Sequence, residues 1–377
     1  MKIVIAMDSF KGSLSSTDAG NAATMGILRA LPEAEIKVFP VADGGEGTVD
    51  ALISGLNGSY RTVTVSDPLG IPILAQYGIL PDQTAVIEMA AASGLPLLSG
   101  SERDPMNTTS YGFGEMIADA IHQGCHSFIL GIGGSATNDC GIGCLQALGF
   151  GFYDKNGNPV PFGAKGLAQV HHIDLNQVIP KLRYHQFHVA CDVTNPLCGE
   201  NGCSAVFAPQ KGADSLMIAE MERSMQRFSA IVKKYYPDSD ADLPGSGAAG
   251  GLGFALRTFL NADLKPGIDV VINQTGIETA IRDADIVVTG EGRLDAQTVM
   301  GKVPVGIARI AKKYDLPVIA FCGCVGDGAE ICNQHGIDAY FPILRSITTA
   351  EEAMKPEIAK KNLADTAEQV FRLFRCT

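Results

Sequence analysis

Carboxylates and cations recur in this chain just after short apolar runs, where a strand would end and a helix would begin. Asp8-Ser9-Phe10-Lys11-Gly12-Ser13 follows the apolar run at 2–7. Asp43 stands in Ala42-Asp43-Gly44-Gly45-Glu46-Gly47-Thr48 after Ile36 to Val41. Asp192 stands in Cys191-Asp192-Val193-Thr194-Asn195-Pro196 after Phe187 to Ala190, and Glu291, Arg293 and Asp295 follow Asp285 to Val288. A carboxylate at such an edge can take a proton from a hydroxyl or hold a divalent cation. Three of the acids also have a plainer use: Asp8 and Asp43 as helix N-caps, Asp192 as the acceptor of an Asx-turn. Lys11 is harder to place in a scaffold, being a lone cation in a strand–helix turn beside Ser9, Gly12 and Ser13.

A second kind of chemistry is written in glycines. Phe128 to Leu130 reads as the end of a buried strand, and Gly131-Ile132-Gly133-Gly134-Ser135-Ala136-Thr137-Asn138-Asp139 follows at once. A strand that breaks into glycines before a helix presents backbone N–H groups to an anion, most often phosphate. Gly133 and Gly134 would supply the backbone, and Ser135, Thr137 and Asn138 side-chain donors. Pro244-Gly245-Ser246-Gly247-Ala248-Ala249-Gly250-Gly251-Leu252-Gly253 repeats the theme. There Gly250 and Gly251 could cradle a phosphate, or could let the helix pack tightly on a neighbour. The first run also fits the dinucleotide pattern GxGxxG/A, with Asp154 about 20 residues on. That pattern would suit an NAD-dependent hydroxy-acid dehydrogenase, but Asp154 falls inside the turn sequence Asp154-Lys155-Asn156-Gly157. The phosphate-loop pattern GxxxxGK[ST] is absent, because Ala296 and Val303 flank Gly301-Lys302 wrongly.

These residues need a large scaffold. The 377 residues are 46% hydrophobic and 19% charged, enough for about two buried cores. The 43 glycines exceed the roughly 26 expected at average usage, and they cluster beside apolar runs. A net charge of −12 argues against nucleic acid or an anionic membrane as partner. The N-terminus reads as a strand and not as a signal peptide, and no apolar run is long enough to span a bilayer. With ten cysteines and no CxxC pair, reduced thiols in a cytoplasmic protein are expected, with Cys140 and Cys144 facing the core. A βα rhythm opens the chain (helix Ser15 to Leu31) and returns near its end (helix Val303 to Lys313, strands Val318 to Cys322 and Ala339 to Ile343, final helix from Thr349). Between them, Arg61 to Leu80 reads as an antiparallel hairpin. The reading is a parallel-sheet α/β domain made of residues 1–60 and 281–377, interrupted by a second α/β domain at 61–280. The polar strand ends would line a cleft between the two.

Taken together, DSFKGSLSS, VADGGEGT, EMAAASGL, GIGGSATND, CDVTNPL, FAPQKGA, PGSGAAGGLG and TGEGRLD…GKVPVGIA resemble, in order, the segments of the bacterial type I glycerate kinases. They cover the chain from Met1 to about Ile343. Met7 replaces a common proline, and Cys140 and Cys144 replace the more usual Gly and Met. The resemblance implies a flavodoxin-like domain interrupted by a second α/β domain. It also implies ATP-dependent phosphorylation of D-glycerate to 2-phosphoglycerate with Mg²⁺. The residues fit that chemistry, with Asp192, Lys11 and Arg293 as the catalytic candidates and the choice between base and metal ligand open among Asp192, Glu291 and Asp295. Asp8, Ser9, Asp43, Asn195 and Lys211 are the candidates for binding substrate, the glycine turns for binding ATP, and Glu291 and Asp295 for holding the metal. A homo-oligomer is left open. A solute-binding protein would also close two lobes on a small anion, but the acids at strand ends and the missing signal peptide speak against one.

Overall fold

The computed structural model describes residues 1–375. In chain order the strands are β1 (Lys2–Met7), β2 (Glu35–Val38), β3 (Ser59–Ser66), β4 (Pro72–Ile79), β5 (Thr84–Glu88), β6 (Ser127–Gly131), β7 (Gly151–Tyr153), β8 (His172–Asp174), β9 (Gln186–Ala190), β10 (Asp263–Lys265), β11 (Ile286–Leu294), β12 (Val318–Val325) and β13 (Ala339–Pro342). The chain divides into two units. The first takes Met1–Asp43, Asp50–Asn57 and the chain from Pro266 onward; the second takes Gly44–Val49 and Gly58–Lys265.

The first unit is a parallel sheet in the order β2-β1-β11-β12-β13. This is the flavodoxin-like 2-1-3-4-5 order, with its switch point between β1 and β11. β1 is buried from Ile3 to Met7, which explains its unbroken apolar sequence. Helix Ser16–Ala30 starts where Ser15 accepts from the Asp18 N–H at 3.1 Å. A Cβ on its Gly26 would collide with the Ala364 carbonyl oxygen, so this glycine allows close packing on helix Pro356–Leu373.

Three local expectations change. β2 stops at Val38, short of Val41, because Pro40 lacks an N–H and the Val41 N–H goes to the Ser16 hydroxyl at 2.9 Å. β11 does not stop at Val288 but runs to Leu294, so Glu291 and Arg293 are strand residues. The final helix comes in two pieces, Ala350–Ala353 and Pro356–Leu373, since Pro356 can open a helix but not continue one. The division at Pro266, and not at 281, also has a cause. Asp269 pairs with Arg309, Glu278 pairs with Lys313 at 2.9 Å, and Ile268 packs against Gly306. All three tie residues 266–282 to helix Val303–Lys312 and its end.

The second unit has a sheet in the order β10-β9-β6-β5-β4-β3, parallel from β10 to β5 and antiparallel from β5 to β3. The hairpin β3–β4 turns on Asp67, whose Oδ1 accepts from Leu69 and Ile71 at 2.8 Å each. Phe113, Phe128, Leu130, Leu145, Phe228 and Leu256 belong to its core, as do Cys140 and Cys144. The nine described cysteines are free thiols, and Cys376 lies outside the described residues. No described helix is long and apolar enough to cross a membrane.

Candidate active site

In the first unit a cavity of about 390 Å³ opens at the carboxyl ends of β1 and β11. An open α/β sheet binds its ligand there because the helices on either side of the switch point diverge. Asp8, Ser9, Lys11, Asp43, Glu291 and Arg293 all line this cavity. Three widely separated sequence segments thus meet at one edge of the sheet. Asp8 is only 4% exposed, and its Oδ1 accepts from the Ser9 N–H at 2.7 Å. Burial, reinforced by the charge of Asp43, pushes its carboxyl up to about 7. Glu291 is equally buried and is raised above the ordinary carboxylate range, again mainly by burial. The Thr298 hydroxyl donates to its Oε1 at 2.5 Å, and Lys302 approaches Oε2 at 3.7 Å; both partly offset the rise. Lys11 is exposed in its turn, and Arg293 is exposed beside the same cavity.

Asp295 plays a different part from Glu291. Its Oδ1 accepts from the Gln297 N–H at 2.9 Å, and its Oδ2 pairs with Arg293 Nε at 3.1 Å. It therefore shapes the turn after β11 and orients Arg293. Lys302, which sequence reasoning passed over, also lines the cavity. Only the failed phosphate-loop pattern drew attention to it, and no local pattern links it to Glu291.

In the second unit the glycine run does not enter a helix directly. Residues 132–141 form a loop, and helix Ile142–Ala147 begins after Gly141 in a left-handed conformation. Buried Asp139 holds this loop, accepting from the Ser110 N–H and hydroxyl and from the Gly141 and Gly143 N–H groups. Thr137 and Asn138 are wholly buried, and the Asn138 amide donates to the Ser204 hydroxyl at 2.9 Å. Both are shielded from solvent, and Thr137 Oγ1 and Asn138 Oδ1 have no hydrogen-bond partner. Gly133 and Gly134 are exposed, with Gly134 at φ +72°. Lys211 is buried and gives its ammonium to Ser135 Oγ at 2.8 Å and the Thr137 carbonyl at 2.6 Å. Burial depresses its pKa to about 8.

Gly250 and Gly251 resolve to tight packing. They are buried with φ of +67° and +90°, and a Cβ on Gly250 would collide with the Thr137 carbonyl oxygen. Gly250→Val is expected to destabilise the protein by about 3 kcal/mol or more, as strained, overpacked core substitutions do. A melting temperature within a degree or two of the parent's would refute this. Asp192 follows β9 and is exposed. Asn195 ties down the same loop, donating to the Asn201 carbonyl at 2.8 Å and accepting from the Gly247 N–H at 2.9 Å. Asp154 sits in a hairpin turn, accepting from the Asn156 and Asn158 N–H groups, so the dinucleotide pattern lacks its acidic partner.

Comparison with known proteins agrees with the motif order. The model of the glycerate kinase family matches residues 3–375. The chain is similar to a glycerate 2-kinase of Escherichia coli strain K12, 47% identical over 97% of this chain and 98% of the relative. It is also similar to a glycerate kinase of Bacillus subtilis strain 168, 45% identical over 98% and 97%. The crystal structure of a candidate glycerate kinase 2 from Salmonella typhimurium LT2 superposes with a TM-score of 0.91, at 44% identity, over 100% of this chain and 98% of that one. None of these relatives supports the hydride-transfer alternative. A flavodoxin-like sheet whose acids and cations meet at its switch point, matched from end to end by such relatives, leaves one assignment: the chain belongs to the glycerate kinase family and is a kinase.

Proposed function

We propose that the protein moves the γ-phosphoryl group of ATP to the 2-hydroxyl of D-glycerate, releasing ADP and 2-phosphoglycerate. The observation that carries this reading is Asp8, a buried carboxyl at the switch point whose pKa stands near 7 among cations. A base poised at neutral pH suits removal of a hydroxyl proton as the oxygen attacks phosphorus. Lys11 and Arg293 would hold glycerate's carboxylate or the transferring group, since phosphoryl transfer depends on positioning and charge stabilisation. The 2-position is supported by the name of the Escherichia coli relative.

The donor set at the cavity also fits Mg²⁺. Asp43 and Glu291 repel each other there, and a hard cation held by their carboxylate oxygens would relieve that repulsion while Asp8 serves as the base. Glu291 and Asp295 each already have two partners, Thr298 and Lys302 on the one and Gln297 and Arg293 on the other, so either would use its remaining lone pairs to hold the ion. When bound, the ion would offset negative charge on the phosphates. Gly133 and Gly134, exposed in their loop, are proposed as a backbone anion cradle.

Product identification by phosphorus NMR after incubation with ATP and D-glycerate tests the reading. A 2-phosphoglycerate signal, absent with L-glycerate, is expected; 3-phosphoglycerate as sole product would overturn the regiochemistry. Asp192, exposed and without the burial that tunes Asp8, takes a secondary part in orienting substrate. Asp192→Asn should lower kcat/KM about tenfold, the scale of one charged contact, with thermal stability unchanged. Parent-like kinetics would reduce Asp192 to a turn residue.

A further inference from the structure

The acids and cations account for only part of the cavity at β1 and β11. Much of the remaining lining is apolar: Phe10, Ile343, Leu344, Ala350, Ala353 and Met354. Glycerate cannot use that wall. Each of its three carbons carries oxygen, so it has no apolar surface to bury. Nor can it fill about 390 Å³, space for roughly a dozen water molecules at their liquid volume. Leu344 and Met354 remain 44% and 46% exposed, although both border a cavity.

Two polar groups in the same lining point to a ligand. Ser13 Oγ is buried without a hydrogen-bond partner. Asn362, on helix Pro356–Leu373, also lines the cavity, and its side-chain amide offers a donor and an acceptor side by side. Of the two reactants, only the nucleotide has a part with flat apolar faces and a polar edge. An adenine edge presents an amino donor beside a ring-nitrogen acceptor, the complement of a carboxamide.

We propose that the apolar wall formed by Phe10, Leu344, Ala350, Ala353 and Met354 is the purine subsite of the phosphoryl donor, with Asn362 reading the base edge. The proposal rests on ATP being that donor. The wall buries the faces of the ring, and the amide of Asn362 distinguishes adenine from guanine, whose corresponding edge has an acceptor where adenine has a donor.

Steady-state kinetics of the full-length parent with ATP come first; turnover with another phosphoryl donor but none with ATP would overturn the reading and this subsite together. With the parent active, Ala353→Phe fills the wall at a partly exposed position. It is expected to raise KM for ATP about twentyfold or more and leave KM for D-glycerate within twofold. Calorimetry should show ADP affinity falling by a like factor while inorganic tripolyphosphate binds as to the parent. Asn362→Leu, a half-buried helix position, should raise KM for ATP about tenfold and erase most of the preference for ATP over GTP. An unchanged KM for ATP in both variants, or a rise confined to D-glycerate, would overturn the subsite while leaving the kinase reading intact. The two variants lie on different elements, so misfolding of one does not remove the test.

Discussion

Asp8→Asn is expected to cut kcat by about a thousandfold and, at the same time, to stabilise the folded protein above neutral pH. The rate loss is the usual scale for deleting a general base. The gain in stability follows from linkage. In the unfolded chain the carboxyl titrates near 3.8, and in the fold near 7. Between those values the native state keeps a proton that the unfolded state releases, so stability falls as pH rises and the full cost is present above pH 7. For a group this buried the cost is up to about 4 kcal/mol. An amide escapes it while still accepting from the Ser9 N–H. Denaturant unfolding of parent and variant, without added Mg²⁺, should give curves that meet near pH 4 and separate toward pH 8. A carboxylate with a purely structural role predicts the reverse, a less stable variant with near-normal turnover. Parent kcat/KM should also fall as pH drops below 7.

Lys211→Met is expected to lower kcat/KM about a hundredfold without loss of stability at pH 7. Lys211 is a positioning residue. Its ammonium is buried in the second unit and fastens Ser135 and Thr137, which immediately follow the exposed turn at Gly133 and Gly134. Without it the carbonyl of Thr137 and the hydroxyl of Ser135 lose their donor, at about 1–3 kcal/mol for a buried group. Against that stands the cost of keeping a charge buried. The amine titrates near 10.5 when unfolded and near 8 in the fold. The unfolded chain binds more protons between those values, so stability rises with pH through that window. Below pH 8 the fold carries a penalty of about 3 kcal/mol, which methionine lacks. Parent stability should therefore climb from pH 8 to pH 10 while that of Lys211→Met stays level. Equal slopes, or a variant with parent-like KM for both substrates, would remove Lys211 from the machinery.

Much of this was readable from residue order because local rules carried it. Ser15 before a helix, the turn at Asp67-Pro68-Leu69-Gly70 and the apolar run of β1 each announce themselves within a few residues. The parts that were missed depend on partners far along the chain. The glycine run looked like a helix N-terminus because nothing nearby reveals Asp139 drawing in Ser110, or Lys211 reaching Ser135 from 76 residues away. β11 looked short because Gly290 and Gly292 read as loop. Both are small for contact reasons: a Cβ on Gly290 would meet the Phe321 carbonyl, and Gly292 runs beside the backbone of Phe10 and Lys11. Lys302 was passed over because its partner, Glu291, lies on another element.

The strand order of the first unit also bears on how the chain is made. β1 lies between β2 and β11, and Ile3 pairs with Ile286, so the strand synthesised first waits about 280 residues for one of its two neighbours. At ribosomal speeds of about 5–20 residues per second the wait is roughly 15–60 s. Throughout it, one edge of a strand whose side chains are destined for the core remains unpaired, the geometry most prone to edge-to-edge aggregation. The second unit has all its strands, β3 to β10, within one continuous stretch that emerges during that interval. It can fold on the ribosome while β1 still lacks a partner. The same wiring makes C-terminal truncation costly out of proportion to length, because any chain ending before β11 leaves β1 permanently at a sheet edge.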